Sequence, residues 1–509
     1  MVDLVIGSGP SGVSVAMALL ARGRQVLMLD GGHLPEAAVQ DRRDRLAGSD
    51  PTTWPAKTRA AWQAPQFATP PGQVRRFGSD FAMEPAEQTL TTADGIGLRA
   101  SRAEGGLSNL WGSAVLPYRA ADIANWPISI EDMAPHYQAV AGFMPLSGQP
   151  DDLEAVLPAF PMQGRTPLTP SPQAQKLLER LARQRGPLAA MGVHAGAARL
   201  AVSPACKYCG QCLHGCPWGY IYSARQTVGT LRTRPGFSHQ TGIVRHFEEN
   251  DRSVKVTLDN QETLHADRVF VAAGVLETAR LLLASQPGDS GVLHLKDSQH
   301  FFLPGLHRWR APRRPDKGPY HTLPQAFIEI ADPSVSPNLV HAQIYTWNEF
   351  YARDLITTYG AKLPGSAPLW HALARRLIVA QVFLHSDHSA QINLSLAADG
   401  RLTPSMSDNP DTAQIMTTAK TRMARALNKA GLSMLTFAAR PGEPGSSFHV
   451  GGSVPMSDNP GMNEADVLGR PKGLNRVHLV DASVLPSIPA TTITFSVMAN
   501  AHRIGTLAP

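Results

Sequence analysis

The first thirty residues constrain the fold more than any other part of this 509-residue chain. An apolar run, Val2-Asp3-Leu4-Val5-Ile6, leads into Gly7-Ser8-Gly9-Pro10-Ser11-Gly12 and then into the helix-forming stretch from Val13 to Leu20. A second apolar run, Gln25-Val26-Leu27-Met28-Leu29, ends at Asp30. Strand, glycine-rich turn, helix, strand and acid, in that order and spacing, predict a dinucleotide-binding βαβ unit. Gly7 permits the tight turn, Gly9 lets the backbone approach a pyrophosphate, and Gly12 lets the helix pack on the strand. Ser11 lies in the first helical turn, where free N–H groups and the helix dipole attract phosphate. Asp30 is placed to accept hydrogen bonds from an adenosine ribose. The motif by itself admits NAD as well as FAD.

All four cysteines fall in one run, Cys206, Cys209, Cys212 and Cys216, followed by Pro217. The spacing C-x2-C-x2-C-x3-C-P is that of bacterial iron–sulfur ligands. Soft thiolates this close suit a cluster whose irons share sulfides, since one small object reaches every sulfur. Zinc is the weaker alternative, because it usually takes two pairs separated by a longer loop. Two disulfides would need an oxidising compartment, to which nothing in the chain points. In two-cluster ferredoxins the fourth cysteine of this spacing serves another cluster. Here there is no second set, so Cys216 either completes a [4Fe–4S] site, the favoured reading, or is spare beside a [3Fe–4S] site.

Hydrophobic content of 43% with 17% charged residues is that of a globular chain with a sizeable core. A net charge of +6 over this length is too dilute to imply nucleic-acid binding. The local basic stretch from His307 through Arg314 to Lys317 is expected to be a solvated loop, with docking of an acidic electron acceptor or a sugar phosphate the lesser reading. The strand begins at residue 2, and no apolar stretch reaches the length of a membrane span, so the expected location is the cytoplasm. The segment Leu373–Leu384 reads as a buried helix or strand in preference to a helix lying on a membrane.

Further segments carry a resemblance. Gly105-Gly106-Leu107-Ser108-Asn109-Leu110-Trp111-Gly112 and Trp126-Pro127-Ile128-Ser129, then Ala266–Gly274 with Glu277–Ser285, then His449-Val450-Gly451-Gly452-Ser453, Val480–Pro486 and Thr491–Thr494 occur in this order. Together they resemble the glucose–methanol–choline (GMC) oxidoreductase family over essentially the whole chain. The resemblance implies FAD as the cofactor. By that resemblance the flavin is contacted by Gly105, Gly106, Ser108 and Asn109, and by Ala273, Gly274, Asp481, Ala482 and Thr492. Val244, in Gly242-Ile243-Val244-Arg245, falls where the family places a backbone contact to adenine, though an ordinary strand residue is an equal reading. The implied fold is α/β: a Rossmann-like FAD-binding domain interleaved with a substrate domain built on an antiparallel sheet covered by helices. The expected division assigns 1–35, 95–120, 225–290 and 440–509 to the first, 121–200 and 291–439 to the second, and 201–224 to an iron–sulfur insertion.

His449 falls where that family's motif places its active-site histidine. A neutral imidazole there would take the hydroxyl proton of an alcohol while hydride leaves its carbon for the flavin. The family's usual second residue, His or Asn, is replaced at the aligned position by Thr492, which can hydrogen-bond but is no base near neutrality. The expected function is therefore an FAD-dependent dehydrogenase oxidising an alcohol group, with a sugar or polyol as the favoured small-molecule substrate. Electrons would leave through the cluster to an external acceptor, a redox protein or quinone. Two alternatives stand beside it. One is an alcohol oxidase using oxygen, with structural cysteines. The other is a non-catalytic flavin and iron–sulfur relay subunit, against which the retention of His449 argues.

Overall fold

The computed structural model describes residues 2–58, 80–92, 94–158, 161, 163–286, 291–308, 320–349, 355, 357, 360 and 365–509. Residues 309–319 of the basic stretch lie outside the described residues.

Strand Val2–Ile6 forms the centre of a five-stranded parallel sheet in the order Val477–Leu479, Arg268–Val271, Val2–Ile6, Gln25–Asp30, Phe237–Thr241. The strand is buried from Asp3 onward, as a strand covered on both faces must be. Helix Pro10–Ala21 starts with Pro10 in its first turn, where the missing N–H costs nothing, after Gly9 as N-cap. Small residues let the C-terminal helix Thr494–Leu507 lie close against it: a Cβ on Gly505 would press on Val15 and Ala18. The antiparallel ribbon Val244–Glu249, Val254–Leu258, Thr263–Ala266 feeds the chain back into the sheet at Arg268.

A seven-stranded antiparallel sheet forms the second layer. Its order is Leu432–Met434, His300–His307, Leu377–Phe383, Val340–Tyr345, Ala326–Ile330, Val193–Ala197, with Arg440–Pro441 also paired to His300–His307. Strand side chains alternate between faces. Leu303, Ile328, Ala342 and Val382 accordingly join one core with Leu177 and Leu181 of helix Pro172–Arg183 and with Met423 and Leu427 of helix Thr412–Lys429. The intervening residues of the same strands, among them His300, Gln343, Gln381 and Phe383, point the other way. The stretch Leu373–Leu384 ends helix Ala367–Ala374 and forms strand Leu377–Phe383. A further four-stranded sheet orders Leu402–Ser407, Gln391–Leu396, Leu293–Asp297 and Val450–Gly451. The fold is thus α/β, a Rossmann-like layer interleaved in sequence with an antiparallel sheet covered by helices. No helix among the described residues is long and apolar enough to cross a membrane.

Candidate active site

The glycine turn, the carboxyl ends of the parallel strands and loops from distant parts of the chain enclose a cavity of about 240 Å³. Gly7, Gly9, Ser11, Asp30, Gly106, Val244, Ala273, Gly274, Asp481 and Ala482 all line it. Gly7 adopts φ +104°, open to glycine alone without strain, and a Cβ there would run into the Ala272 carbonyl. A Cβ on Gly12 would collide with the Gly7 carbonyl oxygen, whereas one on Gly9 would meet only open space. Gly12 is therefore a packing glycine, and Gly9 leaves its side of the turn clear for a ligand.

Asp30 holds the Gly32 N–H at 2.8 Å, while its buried Oδ2 lies 3.4 Å from His239 Nε2 and has no hydrogen bond. Burial pushes its carboxyl up, but His239, Ser8 and Gly32 outweigh burial and hold it below the usual range. An ionised acceptor at the end of the second strand, lining the cavity, fits an adenosine ribose. Asp481 is occupied differently. Its carboxylate accepts from Gly274 N–H, Thr278 O–H, and both N–H and O–H of Ser483, at 2.5 to 3.0 Å. It staples two loops of the cavity and leaves the neighbouring backbone to face a ligand. Val244 opens a strand, and its carbonyl is taken by Arg280 at 2.7 Å.

Gly105 (φ +88°) and Gly106 (φ +57°) turn the chain into the short helix ending at Asn109. Ser108 donates to the Gly105 carbonyl at 2.5 Å and accepts from Ala224 N–H. Asn109 donates to the Glu104 and Gly106 carbonyls and accepts from Ser223. Both side chains fasten this segment to itself and to helix Ala224–Leu231, so the turn can offer a flavin mainly backbone. These features together fit FAD.

A second cavity, of about 1200 Å³, adjoins the first and is lined by His449, Thr492, Ser108 and Asn109, and also by Cys212 and Cys216. The His449 ring stacks on Phe383, centroids 4.8 Å apart, and its Nδ1 is buried without a hydrogen bond. Burial first, then His341 and His300, push its pKa down to about 3, so the imidazole is neutral. The Thr491 and Thr492 hydroxyls are buried and likewise without partners. The outward face of the seven-stranded sheet supplies His300, Phe302, Gln343, Tyr345, Gln381 and Phe383 to the same cavity. Sequence reasoning missed these six. Their period-two alternation was readable, but nothing local says which face meets the histidine.

The cysteines lie in a partly buried loop around the short helix Cys212–His214, with Tyr208 (φ 52°), Gly210 and Gly215 all at positive φ. Each sulfur accepts a backbone N–H: Cys206 from Tyr208, Cys209 from Gln211, Cys212 from Thr322 and Cys216 from Tyr220. Burial, followed by neighbouring cysteines, pushes the Cys206 thiol up to about 12 and the Cys209 thiol higher still. Three or more of these sulfurs are not drawn within 4.8 Å of one another, so they form no single-ion cage. The tight group of potential ligands among the described residues is Asp30, Glu104 and His239. There Arg232 already pairs with Glu104 at 2.5 Å.

The fold places one cavity along the glycine turn and a second beneath the outward face of the antiparallel sheet. Residues 387–501, which contain His449, Asp481 and Thr492, match the family model described as GMC oxidoreductase. That match covers the C-terminal part of the chain and agrees with the family resemblance carried by its motifs. A search of curated proteins finds no match. Among solved structures, the chain is similar to pyridoxine 4-oxidase from Mesorbium loti, at 15% identity and a TM-score of 0.59, over 99% of this chain and 98% of that one. It is similar also to a fungal aryl-alcohol oxidase, at 14% identity and a TM-score of 0.58, over the same shares of the two chains.

Proposed function

We propose that this chain is an FAD-dependent alcohol dehydrogenase whose four cysteines hold an iron–sulfur cluster for electron export. The observation that carries this reading is the single cavity walled both by His449 and Thr492 and by Cys212 and Cys216. FAD bound along the glycine turn would supply the hydride acceptor. His449, neutral and with Nδ1 unpartnered, takes the hydroxyl proton. The Thr492 hydroxyl, unpartnered and lining the same cavity, holds the substrate oxygen in line. Cys206, Cys209, Cys212 and Cys216 would hold the cluster, which spreads its ligands wider than one ion does and supplies one-electron chemistry. A backbone N–H reaches each of the four sulfurs, a hydrogen bond that a cluster's thiolate ligands would also accept.

Gln343, Gln381 and Tyr345 put hydrogen-bonding groups on the cavity floor, which supports a polar, hydroxyl-rich substrate. Phe302 and Phe383 beside them would equally take a ring, so pyridoxine and aryl alcohols belong in the test panel with sugars and polyols. The deciding experiment is an absorption and EPR spectrum of protein purified without oxygen, with iron and sulfide assayed, followed by anaerobic addition of the panel. Flavin bands, iron and sulfide in cluster proportion, and bleaching by at least one alcohol are the expected results. Flavin without iron would remove the cluster and move the second reading, an oxidase, to first place. That reading is favoured by the two solved structures being oxidases, and it predicts hydrogen peroxide from the bleaching alcohol in air. Iron with no bleaching by any alcohol would support the relay subunit instead.

A further inference from the structure

The loop that presents His449 is strained and is held from below by one buried acid. Phe448, immediately before the histidine, has φ 62°, a conformation bulky side chains avoid at a cost of roughly 1–3 kcal/mol. Such a conformation persists only where its surroundings fix it. Asp297, at the end of strand Leu293–Asp297 and 1% exposed, grips the segment that leads into the turn. Its Oδ2 accepts the Gly445 N–H at 2.7 Å and its Oδ1 the Ser447 O–H at 2.5 Å. Ser447 Oγ in turn accepts the His449 N–H at 2.9 Å. On the far side, Ser298 N–H donates to the His449 carbonyl at 3.0 Å, and Val450 pairs in register with Asp297 itself.

We propose that Asp297 is a positioning residue for His449, acting through Gly445 and Ser447 to hold the left-handed Phe448 turn and so aim the imidazole into the cavity. The inference rests on the reading of His449 as the proton acceptor. It needs both carboxylate oxygens, one for Gly445 and one for Ser447, and a carboxamide offers only one acceptor. Burial lifts the Asp297 carboxyl to about 6, against the pull of Ser447 and Gly445, so its ionisation falls in an accessible range. The other titratable groups on the surrounding segments are His294 and Lys296 on its own strand, His300 on the next strand, and Glu443 and His449 on the loop it holds. His385, Asp387 and His388 lie on the turn that follows strand Leu377–Phe383. Lys296 is turned to the Pro486 carbonyl, and His300 is held near 4 by burial.

The test uses the FAD-loaded full chain with Asp297→Asn, Ser447→Ala and His449→Ala, each reduced anaerobically by a saturating alcohol. Both tether variants are expected to keep FAD and a wild-type substrate affinity but to reduce flavin about 10²-fold more slowly, the usual cost of misplacing a reacting group by an ångström. The wild type is expected to lose reduction rate as pH falls through about 6, and Asp297→Asn to lack that limb. A wild-type rate and pH profile in Asp297→Asn would overturn the proposal. If that variant fails to fold, Ser447→Ala decides: a slowed reduction supports the tether, and an unchanged one removes it. Normal reduction by His449→Ala overturns the base assignment and this inference with it. A slow His449→Ala beside a normal Asp297→Asn overturns the positioning alone.

Discussion

At the scale of single residues, the proposed site rests on His449 and Thr492, which share one cavity. Buried polar groups almost always find partners, and the unbonded Nδ1 of His449 and hydroxyl of Thr492 both line the larger cavity. Replacing His449 by Ala should keep FAD and lower alcohol-driven flavin reduction by about 10²–10⁴-fold, read by anaerobic stopped flow. An unchanged rate would remove the residue from the chemistry. Asp297 yields a stability prediction whose sign is set by burial. Its folded value of about 6 exceeds the ~4 of an unfolded carboxyl, so the native state holds the proton between those values. Stability contributed at this site therefore falls as pH rises from about 4 to about 6 and is level above. Urea midpoints at pH 4.5 and 7 should differ less in Asp297→Asn than in the wild type. His449 and Asp30 were legible in the sequence because each sits in a motif; Asp297 was not, because its partners come 148 and 150 residues later.

At the scale of elements, short segments that carry their own geometry were readable and long-range pairings were not. The turn from Gly7 to Gly12 and the helix after it follow from local conformational demands, and the structure places them as expected. The cysteine loop was readable as a unit of chemistry. What it packs against was not: Cys209 and Trp218 lie against Val39, Leu46 and Trp54, and Trp218 stacks on Trp54 at 5.7 Å. If the loop exports electrons, Cys209→Ser should leave alcohol-driven bleaching at the wild-type rate and abolish turnover with a one-electron acceptor such as ferricyanide. Turnover that survives the change would make the loop structural. Ser108 and Asn109 have structural partners that the motif did not announce. They were read as flavin donors, yet their side chains are consumed in fastening the Gly105–Gly106 turn to helix Ala224–Leu231.

At the scale of the whole molecule, the cavity along the glycine turn is assembled from eight separated stretches of chain, from Ile6 to Val497. Asp481 joins two of them with four hydrogen bonds, so Asp481→Ala should strand buried donors at Gly274, Thr278 and Ser483. A loss of about 3 kcal/mol or more in unfolding free energy, with weakened FAD retention, is the expected outcome of a denaturant titration. A loss under about 0.5 kcal/mol would show that Asp481 does not staple the site. The sequence by itself determined the βαβ start, the family resemblance, the cysteine set and the candidate histidine. Each of these is written in residues close together, where glycine conformation, period and ligand spacing act locally. Only the tertiary structure decided that the polar face of the seven-stranded sheet forms the floor beneath His449, and that two of the cysteines wall the same cavity. Alternation along a strand names two faces, and long-range packing alone selects which one is buried against the helices and which is left open to a substrate.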